Sequence, residues 1–215
     1  SFLRHKCSTC MTQFPKMVEI LPTGKSGDAE ITHFTVSEMD SRFTALRSFR
    51  DPGAYIAQGS YARLTVGRTL MMTDTQNEKR TNMGVVWNAH GHVFIAGLGI
   101  GMILHPIADK SEVTKITVLE KSQGVIDLVK GTLPAKVEVV QGDIFEYKPE
   151  KGTKFDSIYF DIWPEISTEN LPEMGTLHRR FRKHLAEGGW MDSWCRDQLK
   201  SRKRSEKRHD SRYGW

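Results

Sequence analysis

With 215 residues, a formal net charge of +5 and three cysteines, the chain is long enough for one α/β domain with an appendage and a sizeable buried core. It has no apolar run of the ~18 residues that would argue for a membrane span, and three cysteines make no disulfide framework. The start, SFLRHKCSTC, lacks the charged, apolar and small-residue regions of a signal peptide. It also lacks an initiator Met, so a trimmed or partial N-terminus and a cytoplasmic location are the expectations.

Residues 1–28 read as irregular, with Pro15, Pro22 and the run Thr23-Gly24-Lys25-Ser26-Gly27. Gly24-Lys25-Ser26 is not a phosphate loop, because the earlier glycine that motif needs would fall on Glu19 and no strand precedes it. Cys7-Ser8-Thr9-Cys10 has the two-residue spacing of zinc knuckles. Zinc takes four ligands, however, and only Cys195, His5 and scattered histidines could complete the set, so no metal is expected. From Ala29 to Thr73 the pattern favours short strands. Tyr61–Val66 and Thr69–Thr73 flank Gly67-Arg68 as a β-hairpin. Glu78–His90 reads as one helix with Gly84 as its weak spot.

His92–Ala96 is an apolar run leading into Gly97, Gly99 and Gly101, a buried strand that turns sharply into a helix. Lys115–Glu120 is a second such run ending in an acid, about 20 residues beyond the glycines. A helix over Ser122–Lys130 follows, then strands at Lys136–Val140 and Phe155–Phe160, which lead to Asp143 and Asp161. In an open parallel sheet, ligands bind outside the carboxyl ends of the strands, so Glu120, Asp143 and Asp161 should converge on one crevice. Leu171–Ala186 reads as a helix, with Pro172 in its first turn and Met174, Leu177, Phe181 and Leu185 at helical spacing. Glu187-Gly188-Gly189 closes it and Trp190–Cys195 forms a fifth strand. Eight Lys/Arg against three Asp/Glu between Arg196 and Arg212 place the whole charge excess in a helical or disordered tail. Such tails are solvated or bind polyanions non-specifically.

The motifs Gly97–Gly101, VLEKSQGVIDLV, VVQGDIFEY and FDSIYFDIWP resemble the class I S-adenosylmethionine-dependent methyltransferase fold, in particular its spermidine synthase-like branch, over about residues 70–195. The resemblance implies a Rossmann-like sheet of five parallel strands in the order 3-2-1-4-5, without the family's last two antiparallel strands. It divides the chain into an N-terminal β-rich segment (1–82), a cofactor-binding domain (83–195) and a basic tail (196–215). It also implies S-adenosylmethionine as cofactor, with backbone donors at Gly97, Leu98, Gly99 and Gly101. Glu120, with Lys121 beside it, would take the ribose, and Asp143 and the Ile144 amide the adenine. Each acid has a plainer reading: Glu120 as a solvated strand end, Asp143 as an N-cap, Asp161 as a cap for the segment after it.

The same resemblance makes Asp161 the catalytic candidate, lying beside the sulfonium, with Trp163 as an apolar wall that can attract a cation. The chain departs from the spermidine synthase pattern at Met71, Gln76 and Asn77, where that branch carries a glutamine and an Asp-Glu pair. Its Asp161–Pro164 loop is also one residue shorter and has no second aspartate. Asp74 and Glu78 are the acids left to meet a substrate. A methyltransferase acting on a small acceptor is the leading reading. An aminopropyltransferase using decarboxylated cofactor and a non-catalytic cofactor-binding protein stay open, as do a homodimer and tail-borne nucleic-acid contact. No membrane partner is expected.

Overall fold

A computed structural model describes residues 14–51 and 53–213. Its centre is a five-stranded parallel sheet built from β5 (Gly91–Ala96), β6 (Val113–Glu120), β7 (Val137–Gln141), β8 (Phe155–Phe160) and β9 (Leu185–Ser193), in the spatial order β7-β6-β5-β8-β9. This is the expected 3-2-1-4-5 order of a Rossmann-like fold. Val93–Ala96 on β5 are all buried, as a central strand covered on both faces requires, and that is why it reads as an unbroken apolar run. Side chains alternate across the sheet. Val93, Ile95 and Tyr159 face one core with α4 (Met83–Asn88) and α5 (Leu104–Ala108), while Phe94, Ile158 and Phe160 face another with α7 (Leu171–Phe181).

A second sheet is antiparallel, β1 (Gly24–Ser26), β2 (Ala29–Val36), β3 (Gly59–Val66) and β4 (Thr69–Thr73), paired in sequence order. The predicted hairpin is β3–β4, turning at Gly67 with φ +61°. This sheet docks on α6 (Gln123–Val129), where a Cβ on Gly124 would lie 2.2 Å from the Ser26 carbonyl oxygen. The Ser26 hydroxyl donates to Asp127 across the same seam at 2.9 Å. Ala29, Ile31, Ala62 and Leu64 thereby join the core beneath the parallel sheet.

Four expectations need correction. Residues 1–28 are not irregular throughout, since α1 (Met17–Ile20) and β1 lie in them; Cys7 and Cys10 fall outside the described residues. The stretch whose pattern favours short strands holds β2, β3 and β4 but also α2 (Glu38–Ser48), capped reciprocally by Ser37 and Asp40, a pattern the sequence displays as Ser-x-x-Asp. The helix expected over Glu78–His90 is two, α3 (Gln76–Thr81) and α4, broken at Asn82 rather than at Gly84. Finally, α7 stops at Phe181, and β9 begins at Leu185, five residues early. Gly188 (φ +72°) and Gly189 do not close a helix. They form the irregularity in register between Phe155↔Leu185 and Ser157↔Trp190, and a Cβ on Gly189 would lie 2.9 Å from the Asp156 carbonyl oxygen. The tail forms α8 (Arg196–Tyr213), anchored by buried Leu199.

Candidate active site

A cavity of about 710 Å³ opens at the carboxyl ends of β5, β6, β7 and β8, within the size range of small-molecule sites. Glu120, Asp143 and Asp161 all line it, so the three strand-end acids converge as expected. Leu64, Val66, Met71 and Met72 from the β3–β4 hairpin form an apolar roof, and Trp163 closes another side.

The glycine turn works differently at each position. Gly97 has φ +99°, and a Cβ there would lie 1.9 Å from the Asp161 carbonyl oxygen. Its own N–H donates to Leu119 at 2.9 Å. Glycine is required here so that the end of β8 can pass against the turn. At Gly99 (φ +51°), a Cβ would meet the Met72 sulfur at 2.7 Å, so this glycine makes room for the roof. Gly101 packs against Leu133 and Val129. Neither Gly101 nor Leu98 is among the lining residues, and Gly101 is a packing residue rather than a ligand-facing one.

Glu120 is tied to its neighbours by both oxygens, accepting from the Leu98 amide at 2.9 Å and the Ser122 amide at 2.8 Å. It is therefore not a free solvated strand end, and a carboxylate with about four acceptor sites keeps capacity for further donors. Asp143 accepts from the Phe145 amide at 2.9 Å, the capping role open to it from sequence, and pairs with Lys121 at 2.8 Å. The Lys121 hydrogen bond and then the Phe145 amide hold its carboxyl below the usual carboxylate range. Lys121 is correspondingly raised by Asp143. Ile144 is buried and lines the cavity, and its carbonyl accepts from Arg180 at 2.5 Å.

Asp161 stands in a different environment. Among the described residues no side chain hydrogen-bonds to it. Burial, and then the charge of Glu78, push its carboxyl up to about 8. Burial raises Glu78 to about 7, partly offset by the Thr73 amide. The Cys195 thiol is pushed up to about 12 by burial and by Asp161 and Glu78, and Tyr159 rises for the same causes. Asp161 lines the cavity, whereas Glu78 is not among its lining residues, and a strongly perturbed carboxyl in a cleft is a candidate for acid–base chemistry. Trp163 is buried and donates its ring N–H to Glu173 at 2.9 Å.

Asp74 is placed elsewhere. Its two oxygens accept from the backbone amides of Met17 (3.0 Å) and Ala62 (2.7 Å), and it is buried. It ties α1 to β3 rather than meeting a substrate. Sequence reasoning missed Met72, Asp28, Gln123 and Phe145 as lining residues, since only the docking of one sheet on the other brings the first two there. Among the described residues no cluster of three or more His, Cys, Asp or Glu suits a metal ion, and no helix is long and apolar enough to cross a membrane.

No family model matches the chain, and no curated protein does. Solved structures similar to it include a complex of DhpI with SAM and HEP (20% identity, 54% of this chain and 50% of that one, TM-score 0.39). SAM-bound CalS10, an amino pentose methyltransferase from Micromonospora echinaspora involved in calicheamicin biosynthesis, is another (21% identity, 54% and 47%, TM-score 0.38). Spermidine synthase from Thermotoga maritima is similar over 80% of this chain and 55% of its own, at 16% identity and TM-score 0.49. The chain spans about half the length of these proteins.

Proposed function

We propose that the protein is an S-adenosylmethionine-dependent methyltransferase acting on a small acceptor. The observation that carries this reading is the electrostatic division of one cavity. Donor-bound acids, Glu120 and Asp143, lie on one side, and a partnerless, proton-hungry Asp161 lies at the end of β8. When bound, S-adenosylmethionine supplies a methyl group made electrophilic by its sulfonium. Glu120 would take the ribose hydroxyls with the acceptor capacity its two amide donors leave, and Asp143, Ile144 and the wall at Gly97 and Gly99 would bound the adenosine. The apolar roof of Met71 and Met72 excludes water. Asp161 takes the proton that an acceptor must lose on alkylation, and Trp163 walls the acceptor side. Positioning and a fixed electrostatic environment account for most of the acceleration such a transfer needs.

Aminopropyl transfer is the second reading, favoured by the charge that Glu78 exerts on Asp161, a pair of acids that would suit a cationic amine. Against it, Gln76 and Asn77 are neutral, and the Asp161–Pro164 loop has no second aspartate. Incubation with decarboxylated cofactor and putrescine should give no spermidine above background, whereas S-adenosylmethionine with an acceptor panel should release S-adenosylhomocysteine. Robust spermidine formation would reverse the choice, and inactivity with both cofactors would leave a binding protein.

A further inference from the structure

The turn that follows β7 is held from behind by one side chain. Arg180, in the last turn of α7, donates from one guanidinium nitrogen to the Phe145 carbonyl at 2.7 Å. Its other terminal nitrogen donates to the carbonyls of Ile144, at 2.5 Å, and Tyr147. A guanidinium carries several donors in a fixed planar fork, which suits it to hold neighbouring carbonyls together. Its own position is set by α7, whose Met174, Leu177 and Phe181 are fully buried, and it lies 5.3 Å from the centre of the Phe181 ring. The other side of the turn is the cavity wall, lined by Asp143, Ile144 and Phe145 but not by Arg180.

Two successive peptides of the turn are oriented by these contacts. In a trans peptide the carbonyl and the N–H point in opposite directions. The Ile144 carbonyl goes to Arg180, and the N–H of the same peptide, on Phe145, goes to the Asp143 carboxyl at 2.9 Å. The Asp143 carbonyl accepts from the amides of Glu146 at 3.0 Å and Tyr147 at 2.8 Å. The N–H of its peptide, on Ile144, is thereby turned the opposite way, and among the described residues it makes no backbone hydrogen bond. One donor is left over in the turn, and it belongs to a residue of the cavity wall.

We propose that Arg180 is a positioning residue for purine selection: by clamping the carbonyls of Ile144, Phe145 and Tyr147 it holds the Ile144 N–H and the Asp143 carboxyl as a rigid donor–acceptor pair that prefers adenine to a 6-oxopurine. The inference rests on the S-adenosylmethionine reading for its ligand and on the hydrogen bonds alone for the clamp. Adenine presents a ring-nitrogen acceptor beside an amino donor, which match an N–H and a carboxylate. Hypoxanthine reverses both, so donor would meet donor and acceptor would meet acceptor. Groups left unpaired in this way are what allow a polar site to reject a close analogue. Arg180 lies behind the wall and acts by removing the freedom of the turn, so that the pair is in place before the base arrives.

Calorimetry on the full chain with S-adenosylhomocysteine and S-inosylhomocysteine tests the selection. The wild type should prefer the adenosyl form by about tenfold or more. Arg180→Met keeps a stem against Phe181 and removes every donor. Its adenosyl affinity should fall about tenfold while its inosyl affinity changes little, so the preference collapses. Glu120→Ala, on the ribose side, should weaken both ligands alike and keep the preference. Arg180→Ala is the second variant, and either one whose amide spectrum shows it folded suffices. Without ligand, the amides of Phe145, Glu146 and Tyr147 should exchange with solvent about tenfold faster in the variant, while those of β5 keep their protection. Unchanged exchange in the turn, or an affinity loss equal for both ligands, would overturn the proposal. A wild type that binds neither ligand would sink the S-adenosylmethionine reading and the purine role with it. That result is distinct from failure of the clamp, because exchange in the turn would still respond to Arg180.

Discussion

The two sides of the crevice hold acids of the same kind in opposite hydrogen-bonding surroundings. At the ends of β6 and β7, Glu120 and Asp143 receive backbone amides and, for Asp143, a lysine. For Asp143, the Lys121 hydrogen bond and then the Phe145 amide favour the charged form and hold its carboxyl below the usual range. At the end of β8, Asp161 receives no side-chain donor among the described residues, and burial, then the charge of Glu78, governs it. The strand ends are chemically alike in sequence. What differs is what the following residues supply: tight turns with free N–H groups after β6 and β7, and after β8 the apolar Ile162 and Trp163. One side is prepared to hold a neutral polar ligand in place, the other to exchange a proton.

The contrast can be broken most severely at Gly97. Gly97→Ala would drive a Cβ into the Asp161 carbonyl at a positive φ, so we expect a protein that is strongly destabilised in thermal melts or fails to fold. Asp161→Asn keeps shape and removes the base. Turnover should fall by roughly 100-fold or more, with cofactor affinity altered far less, and single-turnover assays would read both. Asn82→Leu removes the acceptor of the buried Tyr159 hydroxyl, which donates to the Asn82 side chain at 3.1 Å, for a loss of about 1–3 kcal/mol in denaturant unfolding.

Stability should also follow the two sides of the crevice as pH changes. Asp161 and Glu78 have folded midpoints raised to about 8 and about 7, above an unfolded value of about 4. Their contribution is therefore full below about pH 4 and is lost as pH rises through 7 to 8. Asp143, lowered by its donors, contributes above about pH 4 and loses that contribution as pH falls through its folded value. A pH series of melts on wild type and Asp161→Asn should show the alkaline loss reduced in the variant. The smallest effect lies in the tail. Removing residues 202–215 keeps buried Leu199, and should abolish any salt-sensitive nucleic-acid retention without altering cofactor binding.

How much of this was legible in the sequence follows from what each feature depends on. The parallel sheet was, since β5 is an apolar run leading into the Gly97–Gly101 turn and the runs of β6 and β8 lead to the carboxylates Glu120 and Asp161, and Phe155–Phe160 matches its strand to the residue. Helix α2 was hidden because its outward residues, Met39, Phe43 and Leu46, are apolar and exposed, so its pattern lacks the alternation of faces that marks a helix. The division at Asn82 was invisible because its cause is a tyrosine hydroxyl 77 residues away. Asp74 and Glu78 were indistinguishable as substrate acids for the same reason. Only the fold shows that Asp74 is spent on two backbone amides, while Glu78 is buried and acts on Asp161 through its charge.

The most direct test compares cofactor binding by calorimetry in Glu120→Ala and Asp161→Asn against wild type. A cavity divided as described predicts that S-adenosylmethionine binds the wild type and that Glu120→Ala weakens it by about 1–3 kcal/mol, the scale of a lost charged hydrogen bond. Asp161→Asn should bind nearly as the wild type does. Unchanged affinity in Glu120→Ala, or a wild type that prefers NAD to S-adenosylmethionine, would contradict the account.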